Sequence, residues 1–324
     1  MHPTTVLRVT ARPRRRYADR VPPGPRAPGK GGAGQTAVRR WGLAAMVVQR
    51  YGSPRGFGSG AVAAVLVGSF VGAATVTGCA APEDPKAAAA DPALAVRSAA
   101  DALVRAGTSK ASTSMEMAAG GTRVTIRGEG GYDFRRRTGR LQVLLPKDPA
   151  GASEHRPITE LLTPGALYMK NRGAGVPADK WVRVDTAALD DGNLVTNGAT
   201  DPAAAAELLR GAREVTYLGE VDLAGVKVGH YRGVADLAHA ARAASPQVRG
   251  ALAAAAKGFA EDAVPFDAYL DGEGRLRKVR HRFSFSNQGR TVAVASTTLL
   301  YGFGVPVEVT LPDHRDIYAG KIGA

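Results

Sequence analysis

From Thr113 onward, polar and apolar side chains alternate over one short run after another, which commits most of the chain to β-structure with one face buried. Thr113, Met115 and Met117 alternate with Ser114 and Glu116. After Gly120-Gly121, Thr122, Val124 and Ile126 alternate with Arg123, Thr125 and Arg127, and Tyr132 and Phe134 extend that run. Thr138-Gly139 turns the chain into Leu141, Val143 and Leu145. Further strands are expected at Ala166–Lys170, Lys180–Asp185, Val215–Leu223, Val226–Val234, Val264–Leu270, Arg275–Phe285, Thr291–Tyr301 and Val305–Thr310, eleven in all. Ala224-Gly225 and Asp271-Gly272-Glu273-Gly274 read as hairpin turns. Because hairpins follow one another directly, the pattern predicts an antiparallel meander.

Helices interrupt this pattern at three places. Asp91-Pro92 and Asp201-Pro202 combine a capping side chain with a proline at the first helical position. The first helix should run to Gly107 and the second to about Gly211. Ser245-Pro246 opens a third by the same logic, ending near Phe259. Strands grouped around inserted helices predict an α+β fold, a strongly curved antiparallel sheet with helices packed on its concave face.

Ahead of the domain, at 91–324, lies a different kind of sequence. Residues 1–60 are rich in Pro, Gly and Arg, with no apolar periodicity, and are expected to be disordered. Ala61–Cys79 is an uncharged apolar run closed by Val76-Thr77-Gly78-Cys79, preceded by Arg39, Arg40, Arg50 and Arg55. Upstream positive charge, an apolar stretch and small residues at its end make an export signal. Val-Thr-Gly-Cys resembles the bacterial lipobox, in which the cysteine is diacylated on sulfur and becomes the new N-terminus. The alternative is a transmembrane anchor, which needs about 20 predominantly apolar residues; three glycines, two threonines and a serine make this run marginal. Residues 80–90 form a Pro/Ala-rich tether. Met46 is an alternative start, and Arg39-Arg40-Trp41 an alternative twin-arginine signal.

Cys79 is the chain's only cysteine, so no intramolecular disulfide or cysteine-based metal site can form. The net charge of +14 invites a nucleic-acid reading, but its distribution excludes it. Of the 43 Lys and Arg residues 12 precede Cys79, against one of the 29 acids, leaving 31 bases and 28 acids in the remainder. Abundant Ala, Gly, Arg and Pro with few Lys is the bias of a GC-rich genome, such as an actinobacterial one.

Several stretches together resemble one family. They are Leu167-Tyr168-Met169 followed by Lys180-Trp181, the segment Gly225-Val226-Lys227-Val228-Gly229-His230-Tyr231-Arg232-Gly233, and Val264-Pro265-Phe266-Asp267-Ala268-Tyr269-Leu270-Asp271. Gly274-Arg275-Leu276-Arg277-Lys278 and Tyr301-Gly302-Phe303-Gly304-Val305-Pro306-Val307-Glu308-Val309 follow. Their order after a lipobox, over about Leu94–Leu311, is similar to actinobacterial lipoproteins of the LppX/LprA/LprF/LprG type, related in fold to LolA-type lipoprotein carriers. Tyr269 departs from the expected Trp but keeps an aromatic ring. The resemblance implies a half-barrel over helices, holding an apolar cavity for the acyl chains of a lipid or glycolipid. It thus implies a monomeric carrier anchored through Cys79 on the extracytoplasmic face of the cell membrane, without cofactor or enzymatic activity. The alternative is a LolA-like envelope sensor or scaffold that binds a protein partner.

Elementary packing points the same way. Helices as rich in alanine as Ala251–Ala256 leave volume that leucine would fill. Met115, Met117, Ile126, Val143, Leu167, Met169, Phe283 and Val294 are the candidate lining of that space, and methionine adapts to varied chain shapes. An ordinary close-packed core is the competing reading.

Catalytic and metal-binding signatures are not evident. None of His155, His230, His239, His281 and His314 stands at metal-ligand spacing, and there is no nucleophile elbow. His230 and His281 fall in strands and read as satisfied structural histidines. Arg275, Arg277, Lys278, Arg280 and Arg282 read as the solvent side of a strand, with contact to lipid headgroups as the functional alternative.

Overall fold

A computed structural model describes residues 91–320 apart from 120, 147–155, 174, 196–199, 260 and 288–289. The expected leader, the signal run with Cys79, and the tether lie outside the described residues.

The strands are β1 (Thr108–Ala119), β2 (Thr122–Asp133), β3 (Thr138–Leu144), β4 (Ile158–Thr163), β5 (Ala166–Lys170), β6 (Trp181–Asp185), β7 (Ala212–Leu223), β8 (Val226–Asp236), β9 (Ala263–Asp271), β10 (Leu276–Asn287) and β11 (Arg290–Tyr301). They form one sheet in the order β6-β5-β4-β3-β2-β1-β11-β10-β9-β8-β7. Every neighbouring pair is antiparallel. Two meanders, β1–β6 and β7–β11, are therefore stitched together through β1 and β11, and the sheet is open, with β6 and β7 at its edges. Alternation dictates which face is buried: on β1, residues 109, 111, 113, 115 and 117 point inward.

Such a sheet curls where its backbones crowd together. A Cβ on Gly130 would stand 1.9 Å from the Arg140 carbonyl oxygen, so β2 and β3 approach as closely as they do only because glycine is there. Register shifts between Arg213 and Thr216, between Tyr217 and Gly219, and between Leu276 and Lys278 add local twist on the other wing.

Five α-helices are present among the described residues: α1 (Pro92–Arg97), α2 (Ala99–Ala106), α3 (Pro202–Leu208), α4 (Leu237–Ala243) and α5 (Pro246–Gly258). The Asp-Pro starts behave as expected. Asp91 accepts from the Ala93 amide at 2.9 Å and Asp201 from the Ala203 amide at 2.7 Å. The first helix, expected to be continuous, is interrupted at Ser98, whose ψ of −6° departs from helical geometry. At α5 the cap logic fails: Ser245 makes no side-chain cap bond, and its amide instead donates to Glu207 at 3.2 Å. Helix α4 was not expected, because seven residues without an apolar stripe give no periodic signal. Its start is an aspartate cap all the same, Asp236 accepting from the His239 amide at 2.7 Å.

The expected total of eleven strands hides two compensating errors. Strand β4 was missed because its buried residues do not alternate and include Glu160. The strand expected at Val305–Thr310 is absent: that segment is irregular. Its alternation reflects packing, not pairing, since a Cβ on Gly131 would stand 3.0 Å from Val307. The tail is tied to β1 where the Thr108 hydroxyl donates to the Val305 carbonyl at 2.6 Å, and to edge strand β6 where the Tyr318 amide donates to Trp181 at 2.8 Å.

Candidate functional site

All eight candidate side chains are buried and belong to a single apolar cluster between sheet and helices. Strand register shows how they group. Met117 lies opposite Val294, which in turn lies opposite Phe283, forming a row across β1, β11 and β10. Met115 lies opposite Ile126. Val143, Leu167 and Met169 occupy the β3–β5 wing, where Val143 faces Ile158 and Leu167 faces Leu162. Helices close this face with small side chains. Every residue of α3 is buried, four of the seven being alanine, and Phe259, at the end of α5, stacks on Phe283 with ring centroids 5.2 Å apart.

The inner face also carries polar groups that the alternation pattern concealed. Glu160, 0% exposed on β4, lies opposite Leu141 and Met169, and neither carboxylate oxygen has a hydrogen-bond partner among the described residues. Burial pushes its pKa well above the usual carboxylate range and so favours the neutral acid. The one available signal was its spacing, two residues from both Ile158 and Leu162.

His281, on β10, is equally buried, between Phe266 and Phe283. It is not the satisfied structural histidine expected, because its Nε2 has no partner among the described residues. Burial pulls its pKa down to about 3, leaving the ring neutral. The strand pattern placed His281 on β10 but could not show that the surrounding strands and helices supply no partner for Nε2. His230 does fit the expectation: its Nε2 lies 2.9 Å from Asp267, and its ring stacks on Tyr269 at 4.4 Å.

The basic run of β10 lies outside this interior. Arg275 and Arg277 pair with Asp271 at 2.9 and 3.5 Å and flank the Phe303 ring. Lys278 sits over Tyr269, Arg280 meets Glu116 at 3.5 Å, and Arg282 meets Asp267 at 2.7 Å. Burial would raise the pKa of Asp267, but its bonds to Arg282, His230 and Arg232 outweigh this and hold it at about 2. The run is therefore an ion-paired outer face.

Grooves open on the surface of the described residues. One, of about 660 Å³, runs between α1–α2 and the β7–β9 wing, past Ala95, Ala102, Tyr217, Tyr231 and Leu270. Another, of about 550 Å³, lies between α5 and residues 187–190. None of the eight candidate residues lines either groove.

The architecture is that of an open, curved antiparallel sheet folded over a helical layer. Solved structures to which the chain is similar include the Mycobacterium tuberculosis lipoprotein LppX, at 11% identity and a TM-score of 0.41, covering 68% of this chain and 98% of that one. Others are LprF from Mycobacterium bovis, at 12% identity and a TM-score of 0.35 over 68% and 96%, and a LolA superfamily protein from Nitrosomonas europaea, at 11% and 0.30 over 71% and 99%. No family model matches the sequence. No curated protein matches it either.

Proposed function

We propose that this chain is a lipid-anchored extracytoplasmic lipoprotein whose interior takes up the acyl chains of a lipid or glycolipid for carriage or transfer. One observation carries the reading. The concave face presents an apolar surface over both wings of the sheet, interrupted by a few buried polar side chains, three of its eight candidate residues are methionines, and alanines cover it from the helix side. Alanine-faced helices can shift outward without withdrawing long interdigitated side chains, and methionines can repack around a guest. Each buried CH₂ contributes about 0.8 kcal/mol, so a long chain binds by partition without needing specific polar contacts. Anchoring through Cys79 rests on the lipobox resemblance. No helix among the described residues is long and apolar enough to cross a membrane.

Lipid extraction tests this. The protein, purified from membranes in mild detergent, is extracted with organic solvent, and the lipids are identified by mass spectrometry against a detergent-only control. Stoichiometric recovery of acyl lipid supports the reading. Protein that carries none, and takes up none when mixed with lipid micelles, overturns it.

The sensor or scaffold alternative draws on a different feature. Edge strand β7 exposes Tyr217, Leu218 and Val221 at 48%, 45% and 40%. An open edge with apolar side chains suits an added strand from a protein partner, and crosslinking through β7 in intact cells would favour it.

A further inference from the structure

We propose that the interior holds a hydrogen-bonding station, formed by Thr298 and His281 with their neighbours, for an uncharged polar group such as an ester or hydroxyl within the buried part of the lipid. The inference rests on the lipid-binding reading and specifies the class of lipid.

Register places the station. His281 on β10 lies opposite Ser296 on β11, and Thr298, two residues along on the same face, lies opposite Thr113 on β1. Facing residues on adjacent strands have Cβ atoms roughly 5 Å apart and diagonal neighbours roughly 7 Å, so the four side chains form one compact patch. Their exposures are 1%, 3%, 1% and 4%. Thr200, just before α3, closes the patch from the helix side, its hydroxyl 2.6 Å from that of Ser296.

The hydrogen bonds within the patch do not close. Thr200 donates to the Leu194 carbonyl at 3.1 Å, so Ser296 donates to Thr200 and keeps acceptor capacity. Thr113 reaches the Gly128 carbonyl only at 3.5 Å. Thr298 Oγ1 and His281 Nε2 have no partner among the described residues. Buried polar groups are nearly always paired, so two open groups side by side in an apolar interior call for a guest with matching atoms.

The chemistry of the patch selects that guest. Three hydroxyls and a neutral imidazole supply both donors and acceptors but no charge. An ionised phosphate or carboxylate would lose its water here without a counter-charge. A bare hydrocarbon would leave the open atoms unpaired. An ester carbonyl accepts from Thr298, and a hydroxyl, being both donor and acceptor, pairs with Nε2 in either tautomer of the ring. Acyl chains extending from this point meet Met115 next to Ser296 on one side and Phe283 on the other.

The test compares two guests of equal carbon number, radiolabelled hexadecyl acetate and octadecane, taken up from detergent micelles by the delipidated full-length protein. Wild type is expected to prefer the ester tenfold or more. Thr298→Val, which is nearly isosteric, and His281→Phe should each reduce that preference to threefold or less, with octadecane uptake unchanged. Equal uptake of both guests by wild type overturns the station and leaves the carrier reading standing. Uptake of neither overturns the carrier reading itself. If Thr298→Val and His281→Phe melt higher yet keep the full preference, the open atoms are served by water and the station is overturned.

Discussion

Arg137, in the β2–β3 turn, holds its guanidinium 3.0 Å from the carboxylate of Glu207 on α3. This ion pair fastens the helical layer to the sheet. Glu207 also accepts from Arg210 at 2.5 Å and from the Ser245 amide at 3.2 Å, and Arg210 forks onto Asp101 of α2 at 2.6 and 3.0 Å. Turn, α2, α3 and the start of α5 thus converge on one buried carboxylate.

Removing that carboxylate leaves Arg137 and Arg210 facing each other across a buried gap. Glu207→Ala is expected to cost about 3–5 kcal/mol, the usual result of breaking a buried pair from one side. Glu207→Gln keeps the shape and should cost less. Urea denaturation followed by circular dichroism at pH 7 reads both.

His281 should make the fold acid-sensitive at a mildly acidic pH. Its folded pKa, about 3, lies below the ordinary 6.5, so the unfolded chain binds a proton that the folded one refuses. Stability contributed by the neutral ring is complete above pH 6.5 and is lost as pH falls towards 3, by about 5 kcal/mol in all at roughly 1.4 kcal/mol per pH unit. The lowered carboxylates Glu207 and Asp267 act in the same direction but only below their ordinary values of 4.5 and 3.8. Between pH 6.5 and 4.5 the slope therefore belongs to His281 among these three. His281→Phe should make the unfolding free energy fall with rising pH in that window relative to wild type, because it removes the rising contribution and leaves the falling one of Glu160.

Glu160 acts in the opposite sense. Its folded pKa is raised, so the unfolded chain releases a proton above pH 4.5 while the folded chain keeps it, and stability falls as pH climbs from that point. Glu160→Leu removes a carboxyl with no hydrogen-bond partner among the described residues and should stabilise the protein at pH 7 by about 1–3 kcal/mol. Glu160→Gln should remove this falling contribution while keeping the size of the side chain, so the variant loses less stability than wild type from pH 5 to pH 8. Thermal melts at pH 5 and pH 8 separate the two effects.

Cys79→Ala tests the anchor. If the cysteine carries the acyl groups, the variant leaves the membrane pellet and appears in the soluble extracytoplasmic fraction. Intact-mass measurement of the wild-type N-terminal peptide should show the diacylglycerol and its acyl chains. A variant that stays in the pellet at wild-type levels removes the lipid-anchor assignment.

What could be read from the sequence followed the physics of each segment. Alternation marked β1, β2 and β11 because one face of each is solvated, and the Asp-Pro pairs marked α1 and α3 because cap and proline act locally. The burial of the eight candidate residues was legible because an inward position on a half-buried strand is a local property. Strand β4 escaped because Ile158, Leu161 and Leu162 are all buried and Glu160 with them, which erases the period. Val305, Val307 and Val309 misled for the converse reason, alternating in a tail that packs without pairing. The open hydrogen bonds of His281 and Thr298 depend on β9, β10, β11 and the segment before α3 together, and no window of sequence contains that arrangement.

The sheet's curl, on which any interior space depends, should fail at a single glycine. A Cβ on Gly130 would fall 1.9 Å from the Arg140 carbonyl oxygen, 2.9 Å from its carbon and 3.0 Å from the Leu141 Cα, all of them backbone atoms that no rotamer change can move. Accommodating alanine means prising β2 from β3 where Gly130 faces Leu141 and Gly131 faces Arg140. Gly130→Ala is expected to cost about 3 kcal/mol or more, as steric strain at a constrained backbone site does. Gly272→Ala is the control: nothing lies within 4 Å of its Cβ position, and the change should stay within about 0.5 kcal/mol. Denaturation midpoints compare the two. Equal stability of Gly130→Ala and wild type would mean that β2 and β3 can separate without loss, and that the curvature is not held at this point.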